Sequence, residues 1–236
     1  MKILALESSA GTASVALCED DKLLHLVQDR SGHTHSETLL PMIVSALEKH
    51  RLTVRDIDLF AVPAGPGSYT GLRIGVATVK GLASGTGKPC VPVSSLEALA
   101  QNAACFDGLV CPVMDARREQ MYTALFESKS GKLTRKTEDM LLPLSELEKL
   151  LRKTGGAVRF VGDGYEKTAA ALRVKIKETP EPMRLANAYS VAVCALAHYL
   201  EEPDKNYDES LLSPVYLRAT QAERERLQRE EQKGKG

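Results

Sequence analysis

The sequence predicts an α/β fold made of two lobes that are related by duplication of one unit. Three observations predict it: short apolar strand patterns open the chain, similar patterns recur near residue 109, and amphipathic helix patterns lie between the strands. The chain has 236 residues, and domains cluster at roughly 100 to 150 residues. This length suits one large domain or two small ones, and the recurring pattern favours two.

A three-stranded meander is expected at the start of the chain. Residues 2–6, 13–18 and 23–27 are apolar runs separated by turn residues. The same order recurs in 109–114 and 121–126, with Glu7 aligned to Asp115 and Ala16-Leu17 aligned to Ala124-Leu125. A repeat of about half the chain exceeds the roughly 20 to 50 residues of solenoid repeats and indicates a duplicated domain.

Each half is expected to continue with helices and a returning strand. The returning strands are Leu59 to Pro63 and Val158 to Val161, and each runs into a glycine turn. Thr34 to Glu37 fits a capping box, after which apolar positions follow a helical period, with Pro41 in the second turn. The other predicted helices are Gly71 to Ser84 with Gly85 as its stop, Ser94 to Ala104, Leu144 to Lys153 and Leu185 to Leu200.

These elements define the expected domain limits. We predict a first lobe over residues 1–105, a second lobe over 106–218 and a polar tail over 219–236. The tail has no apolar face, so we expect a frayed helix or a disordered segment there.

Composition excludes several classes of function. The 31 Lys and Arg residues balance 31 Asp and Glu residues, so the chain lacks the positive field that holds RNA or DNA unaided. The chain has 11 aromatic residues and no Trp, which argues against base-stacking platforms. The five cysteines form no C-x-x-C pair, and the sequence has neither a signal-peptide core nor an apolar run long enough for a membrane span. We expect a cytoplasmic protein with reduced thiols.

The glycine-rich segment 64–75 joins a predicted strand to a predicted helix and allows two interpretations. A helix N-terminus with flexible glycines offers N–H groups to a phosphate, although the segment fits neither G-x-G-x-x-G nor a P-loop. Alternatively, Gly71 and Gly75, one helical turn apart, leave a smooth face against which a neighbouring helix packs closely. The sequence alone favours neither interpretation.

Candidate catalytic groups are sparse. Glu7 and Asp115 end the equivalent strands, where a sugar-kinase-like fold holds magnesium and a base, but strand-end carboxylates also cap turns. His33 and His35 are two residues apart, and the sequence contains neither H-E-x-x-H nor a His pair at i, i+4. No metal site, no cofactor and no catalytic nucleophile are expected.

Several segments together resemble the TsaB (YeaZ) family, whose members are accessory proteins of threonylcarbamoyladenosine formation in tRNA. The segments are ILALESSAGTASVAL near the start, HTHSETLLPMI at 33–43, AGPGSYTGLRIGVATVKGLA at 64–83, PVSSLEALA at 92–100, VMDARREQMY at 113–122 and PVYLR at 214–218. The resemblance runs nearly end to end. It implies two ASKHA (actin-like, sugar-kinase-like, RNase H-like) lobes, in agreement with the duplication.

The resemblance also implies that this chain is not an enzyme. The catalytic paralogue, TsaD, holds its metal through the two histidines of an H-M-E-G-H segment, and the similar stretch here is Ser95-Leu96-Glu97-Ala98-Leu99. Serine and leucine cannot replace two imidazole ligands. The implied function is a non-catalytic scaffold, required with TsaD and TsaE for transfer of threonylcarbamoyl from threonylcarbamoyl-AMP to N6 of the adenosine adjacent to the anticodon. Glu7 stands where an Asp is common in the family.

The partners implied are a TsaD-like catalytic subunit, a TsaE-like ATPase and a second copy when the chain is alone, with tRNA bound only through the complex. Helices at about 34–51 and 70–84 would pair with equivalent helices of the partner, and some of their apolar residues would serve the chain's own core. The residues expected at this interface are Leu39, Leu40, Ile43, Gly71, Leu72, Gly75, Val76 and Val79. A bulky residue at Gly75 is expected to weaken association without unfolding. An ATP-dependent small-molecule kinase of the ASKHA superfamily is the alternative function.

Overall fold

The computed structural model of the chain describes residues 1–218, so the predicted polar tail at 219–236 lies outside the described residues. Twelve strands and six α-helices in this range alternate as an α/β protein. The prediction of the fold class is confirmed.

The first sheet contains five strands in the order β3-β2-β1-β4-β5. Its strands are β1 (Lys2–Glu7), β2 (Ala13–Glu19), β3 (Lys22–Asp29), β4 (Leu59–Gly65) and β5 (Cys90–Ser94). The predicted meander is confirmed, because β1 pairs antiparallel with β2 and β2 pairs antiparallel with β3. The returning strand β4 pairs parallel with β1, which places β1 in the middle of the sheet.

Two helices cover one face of this sheet. Helix α1 (His35–Lys49) begins with the predicted capping box of Thr34 and Glu37, and Pro41 lies inside it, as expected. Helix α2 (Tyr69–Thr86) is longer than predicted, because Gly85 lies inside it and Gly87 ends it in the left-handed conformation at φ 67°. Leucines of β1 and apolar side chains of both helices form one core.

The other face of the first sheet is covered by a helix from the far end of the chain. Helix α6 (Ala188–Glu201) packs its alanines and Val191 against Ile3 and Ala5 of β1. Helix α3 (Ser95–Gln101) lies beside α6 and also contacts the second sheet. The predicted second lobe, 106–218, therefore includes a helix that packs on the first sheet, and the division at residue 105 stays a prediction.

The second sheet repeats the first with insertions. Its main order is β10-β7-β6-β11-β12, and β8 pairs with β6 and β9. Its strands are β6 (Gly108–Asp115), β7 (Gln120–Thr123), β8 (Phe126–Lys129), β9 (Lys132–Arg135), β10 (Met140–Pro143), β11 (Val158–Val161) and β12 (Ile176–Lys177). Helices α4 (Leu144–Thr154) and α5 (Tyr165–Ala171) complete this part of the chain.

The single strand expected at 121–126 is wrong. The chain leaves the sheet at Ala124 and Leu125, so that β7 pairs with the end of β6 and β8 pairs with its beginning. The break is stabilised because the amide of Leu125 donates to Thr137 Oγ1 at 2.9 Å and its carbonyl oxygen accepts from the amide of Lys136 at 2.8 Å. These bonds replace ladder bonds that a continuous strand would have made.

Within residues 1–218, the search for membrane-spanning segments finds no helix of sufficient length and apolar character to cross a bilayer.

Candidate functional site: an interlobe cleft and an exposed two-helix face

A cleft with a volume of about 1010 Å³ lies between the two sheets. Its size matches the upper range of small-molecule sites, roughly 300 to 1,000 Å³. Polar residues from both halves of the chain line it, including Ser9, Thr34, His35, Ser68, Tyr69, Asp115, Arg117, Asp163 and Arg218. The duplicated architecture therefore builds a cavity where the two units face each other.

Glu7 ends β1 and is buried at 1% exposure. Its Oε1 atom accepts hydrogen bonds from the amide and the hydroxyl of Ser9, both at 2.6 Å. Burial raises the pKa of Glu7 to about 7, and the hydrogen bonds from Ser9 oppose that rise. This carboxyl group serves the turn that follows its own strand and is absent from the described residues that line the cleft.

The glycine-rich segment packs against that same turn. The side chain of Ser68 caps α2 by accepting from the amide of Gly71 at 3.3 Å. A Cβ atom at Gly71 would come closer than 3.0 Å to the backbone oxygen of Ser8, and one at Gly75 would come equally close to the Ser8 hydroxyl. Of the two interpretations, close packing describes these two glycines, but the neighbour is chiefly the β1–β2 turn of the same chain.

In the second unit, Asp115 ends β6 and reaches the cleft. Its carboxylate accepts from the backbone amide of Arg117 at 2.8 Å and pairs with Lys167 Nζ at 3.1 Å. The amide of Asp115 donates to Asp163 Oδ1 at 3.1 Å. Glu7 and Asp115 thus occupy equivalent strand ends with different surroundings. Glu7 is buried and hydrogen-bonded to Ser9, whereas Asp115 is paired with Lys167 at the cleft.

His33 and His35 both line the cleft at the entrance to α1. A ring nitrogen of His35, Nε2, hydrogen-bonds to the carbonyl oxygen of Ala10 at 2.9 Å. A search of residues 1–218 finds no group of three or more His, Cys, Asp or Glu side chains with metal-site geometry.

Seven of the eight residues expected at the partner interface are buried within the chain itself. Leu39, Ile43, Val76 and Val79 belong to the core under α1 and α2. Gly71, Leu72 and Gly75 are also buried. A Cβ atom at Gly75 already meets the Ser8 hydroxyl, so we expect a bulky residue there to destabilise the monomer as well as to affect any partner contact.

Part of the outward surface of the same helices is apolar, with Arg73 of α2 and Glu48 of α1 exposed beside it. Leu40 and Val44, one turn apart on α1, are 55% and 50% exposed. On α2, Ala77 and Gly81 are exposed, and nothing lies within 4 Å of a Cβ atom built at Gly81. Of the eight predicted residues, Leu40 therefore lies on this exposed face, which we call the two-helix face and define as Leu40, Val44, Ala77 and Gly81.

Ser95 and Leu99, the positions at which the family resemblance implied lost metal ligands, are both buried at 2% exposure. Between them, Glu97 bonds to His198 and Arg135, two residues that sequence analysis left unassigned. No local motif links these positions, since they are 101 and 38 residues from Glu97.

The C-terminal segment was also missed as part of the cleft, although its PVYLR motif was one signal of family resemblance. The amide of Val215 donates to the carbonyl oxygen of Ala64 at 2.7 Å, on the first lobe. Arg218 donates to the carbonyl oxygen of Ala116 at 2.7 Å, on the second lobe.

Comparison with known proteins gives consistent matches. The family model described as TsaD: tRNA N6-adenosine threonylcarbamoyltransferase matches residues 29–226. A tRNA threonylcarbamoyladenosine biosynthesis protein TsaB of Bacillus subtilis is 32% identical over 233 residues, covering 94% of this chain and 96% of that protein. The structure of YeaZ from Pseudomonas aeruginosa superimposes with a TM-score of 0.76 at 25% identity, covering 92% of this chain and 99% of that one.

A more distant structure shares the fold alone. The activator of 2-hydroxyisocaproyl-CoA dehydratase from Clostridium difficile, with bound ADPNP, superimposes with a TM-score of 0.52 at 11% identity, covering 87% of this chain and 99% of that one. The fold is that of the two-lobed ASKHA proteins, and its order of strands agrees with the duplication predicted from sequence. By its sequence and its fold, this chain belongs to the TsaB (YeaZ) family.

Proposed function

We propose that this chain acts in threonylcarbamoyladenosine biosynthesis as a non-catalytic scaffold. In this function it binds a TsaD-like catalytic subunit and, through the complex, a TsaE-like ATPase and tRNA. The complex transfers threonylcarbamoyl from threonylcarbamoyl-AMP to N6 of the adenosine beside the anticodon. When no partner is present, the same surface pairs two copies of the chain.

The observation that carries the proposal is the two-helix face. Leu40 and Val44 project from a helix whose opposite side is already fully used by the core. Small residues at Ala77 and Gly81 leave the backbone of α2 accessible to a close-packed helix. Exposed apolar residues on one helix beside small residues on the next suit a partner that also presents helices. A related two-lobed subunit would present such helices.

The site chemistry supports a scaffold rather than a transferase. Ser95 and Leu99 are buried, and Glu97 between them pairs with Arg135 and hydrogen-bonds to His198. In the first lobe, Glu7 is tied to Ser9. These groups stabilise the fold, so the proposal assigns the reacting groups to the partner.

Reconstitution tests this function directly. Purified chain, TsaD-like subunit and TsaE-like subunit are mixed with tRNA and threonylcarbamoyl-AMP, and modified adenosine is measured by mass spectrometry. The mixture should form product, and the chain alone should form none. Product from the chain alone, or equal product from a mixture lacking the chain, would refute the scaffold function.

The surface is tested by a matched pair of variants. Leu40→Asp with Val44→Asp places two charges on the two-helix face and should abolish capture of the TsaD-like subunit. Leu200→Asp places a charge at a residue that is 64% exposed on α6, outside this face, and should leave capture unchanged. If the double variant still binds and supports modification, the partner uses a different surface.

A kinase remains the second candidate, and the cleft favours it. The cavity of about 1010 Å³ has a carboxylate, Asp115, at its wall, and a related fold holds ADPNP. Titration calorimetry with ATP and Mg²⁺ on the isolated chain discriminates the two functions. A kinase should bind nucleotide without partners, whereas the scaffold hypothesis requires no nucleotide binding by the isolated chain.

A further inference from the structure

A group of charged side chains lies where the two lobes meet, away from both the cleft and the two-helix face. We call it the junction cluster, and it consists of Ser94, Glu97, Arg135, Asp139 and His198. Its members come from the start of α3, from β9 and the loop after it, and from the last turn of α6. No part of the proposed scaffold function uses them.

The contacts of the cluster form a continuous chain. Glu97 Oε1 accepts from His198 Nε2 at 2.8 Å, and Glu97 Oε2 faces the Arg135 guanidinium at 3.5 Å. Arg135 in turn donates to Asp139 Oδ1 at 2.6 Å. The other oxygen of Asp139 accepts from the hydroxyl of Ser94 at 2.7 Å. The four ionisable side chains are partly buried, with exposures between 18% and 31%.

The chain of contacts joins elements that belong to or pack on the two different sheets. His198 belongs to α6, which packs on the first sheet. Arg135 ends β9, which is hydrogen-bonded through β8 to β6 of the second sheet. Glu97 lies on α3, which contacts α6 and the second sheet. A change in charge at this cluster therefore acts on the contact between the lobes.

Charge balance within the cluster depends on one proton. Arg135 compensates only one of the two carboxylates, Glu97 and Asp139. With a neutral imidazole at His198 the cluster keeps an uncompensated negative charge, and with an imidazolium it is neutral. A partly buried group of charges is stable when it is balanced, because uncompensated charge is penalised by desolvation. The geometry by itself favours the protonated histidine.

We propose that the junction cluster is a proton-operated latch, in which protonation of His198 holds α6 against α3 and β9, and loss of that proton loosens the junction of the two lobes.

The titration properties of the cluster agree with this function. The hydrogen bond to Glu97 raises the pKa of His198, and burial opposes that rise. Burial acts to raise the pKa of Glu97, but the hydrogen bond and charge of His198 and the charge of Arg135 outweigh it and lower that pKa. The other groups that act on His198 lie at the end of α6 and after it, where Glu201 raises its pKa and Lys205 lowers it. The thiol of Cys194, one turn before His198, is buried, and burial raises its pKa well above its ordinary value.

The direction of the pH effect follows from linkage. A histidine whose pKa is higher in the latched state stabilises that state fully below its ordinary pKa of 6.5. The stabilisation is lost as the pH rises through the raised pKa. Each pKa unit of elevation corresponds to about a tenfold change in the equilibrium constant for opening.

The first experiment uses the unmodified chain. An NMR titration of the five histidines, with His198 assigned by its loss in His198→Gln, should place its pKa above 6.5. Hydrogen exchange, corrected for intrinsic chemical rates, should show faster opening of the end of α6 and of β9 above that pKa than below it. A His198 pKa at or below 6.5, or junction exchange that does not follow its titration, would overturn the proposal.

A pair of variants separates the latch from a merely structural contact. Glu97→Gln keeps the side-chain shape but removes the charge, so the pKa of His198 should fall and the pH dependence of junction exchange should flatten. His33→Gln changes a histidine at the entrance to α1, and it should leave the pKa of His198 and the pH dependence of junction exchange unchanged. An unaltered His198 pKa in Glu97→Gln would also contradict the latch, and if that variant does not fold, the titration of the unmodified chain still decides.

Discussion

The hydroxyl of Ser8 occupies the space that a side chain at Gly75 would need. A Cβ atom there would come closer than 3.0 Å to Ser8 Oγ. Ser8 lies in the turn between β1 and β2, and Gly75 lies in the second turn of α2, so the contact holds the helix against the turn next to the cleft. A side chain at this position must therefore displace Ser8 or move the helix.

Gly75→Ala should destabilise the chain, because the added methyl group must displace Ser8 or shift α2. Overpacking of this kind costs about 1 to 3 kcal/mol. Gly81→Ala on the same helix is the matched control, since nothing lies within 4 Å of its Cβ position. It should leave stability unchanged or raise it by up to about 1 kcal/mol through helix propensity. Urea unfolding of the two variants measures both effects, and equal stabilities would show that the Ser8 contact is not restrictive.

Gly81→Phe should weaken binding to the TsaD-like subunit without unfolding the chain. The ring would stand on the two-helix face and keep a partner helix from approaching α2. Ala197→Phe adds the same ring to an exposed position of α6 and should bind normally. Affinity is measured by surface plasmon resonance and folding by circular dichroism. Equal affinity of the two variants would place the contact elsewhere.

Glu7 should make the chain less stable as the pH rises toward neutrality. Burial raises its folded-state pKa to about 7 from 4.5, so the folded chain holds this proton more tightly than the unfolded chain. The stabilisation is fully present below pH 4.5 and is lost as the pH rises through about 7, with an upper limit of about 3 kcal/mol at about 1.4 kcal/mol per pKa unit. Glu7→Gln keeps an acceptor for Ser9 and should remove this dependence.

The control for this measurement is Glu37, whose contribution to stability depends on pH with the opposite sign. Hydrogen bonds from Thr34 lower the pKa of the exposed Glu37 carboxylate. Its contribution to stability is present above the unfolded pKa and is lost as the pH falls. Unfolding free energies of Glu7→Gln and Glu37→Gln across pH 3 to 8 should therefore diverge from the parent chain in opposite directions, Glu7→Gln mainly between pH 4.5 and about 7 and Glu37→Gln below pH 4.5. A Glu7 variant that parallels the parent at every pH would contradict the buried, protonated carboxyl.

Local patterns sufficed for most of the fold. The meander, the returning strands and the capping box at Thr34 each depend on residues close in sequence, and each was predicted correctly. The end of α2 was not, because Gly85 and Gly87 both satisfy a helix-stop pattern and only the backbone conformation separates them. The break at Ala124 and Leu125 depends on bonds to residues 136 and 137, which no pattern within the strand reveals.

The candidate site was harder to predict, because burial decides which face of a helix is available. Leu39 and Leu40 are adjacent apolar residues, yet one lies in the core and the other is exposed. The helical period identifies the apolar stripe that faces the core, but it does not show which neighbouring apolar residues remain exposed beside that stripe. The link between Glu97 and His198 spans 101 residues and needs the packing of α6 on the first sheet, which is a property of the tertiary fold.

Arg218 should restrain the loop between β6 and β7. Its guanidinium donates to the carbonyl oxygen of Ala116 and to the side chain of Gln120, while Val215, three residues earlier, is bonded to Ala64 in the first lobe. Arg117 and the two residues after it, which lie between Ala116 and Gln120, have positive φ angles. This conformation costs non-glycine residues energy unless tertiary contacts hold it. Arg218→Gln should therefore speed amide hydrogen exchange at 117–120 with little change in β4. Arg55→Gln, at an exposed residue of the first lobe, should leave exchange at 117–120 unchanged. Equal protection in the two variants would mean that the loop holds its conformation without the C-terminal segment.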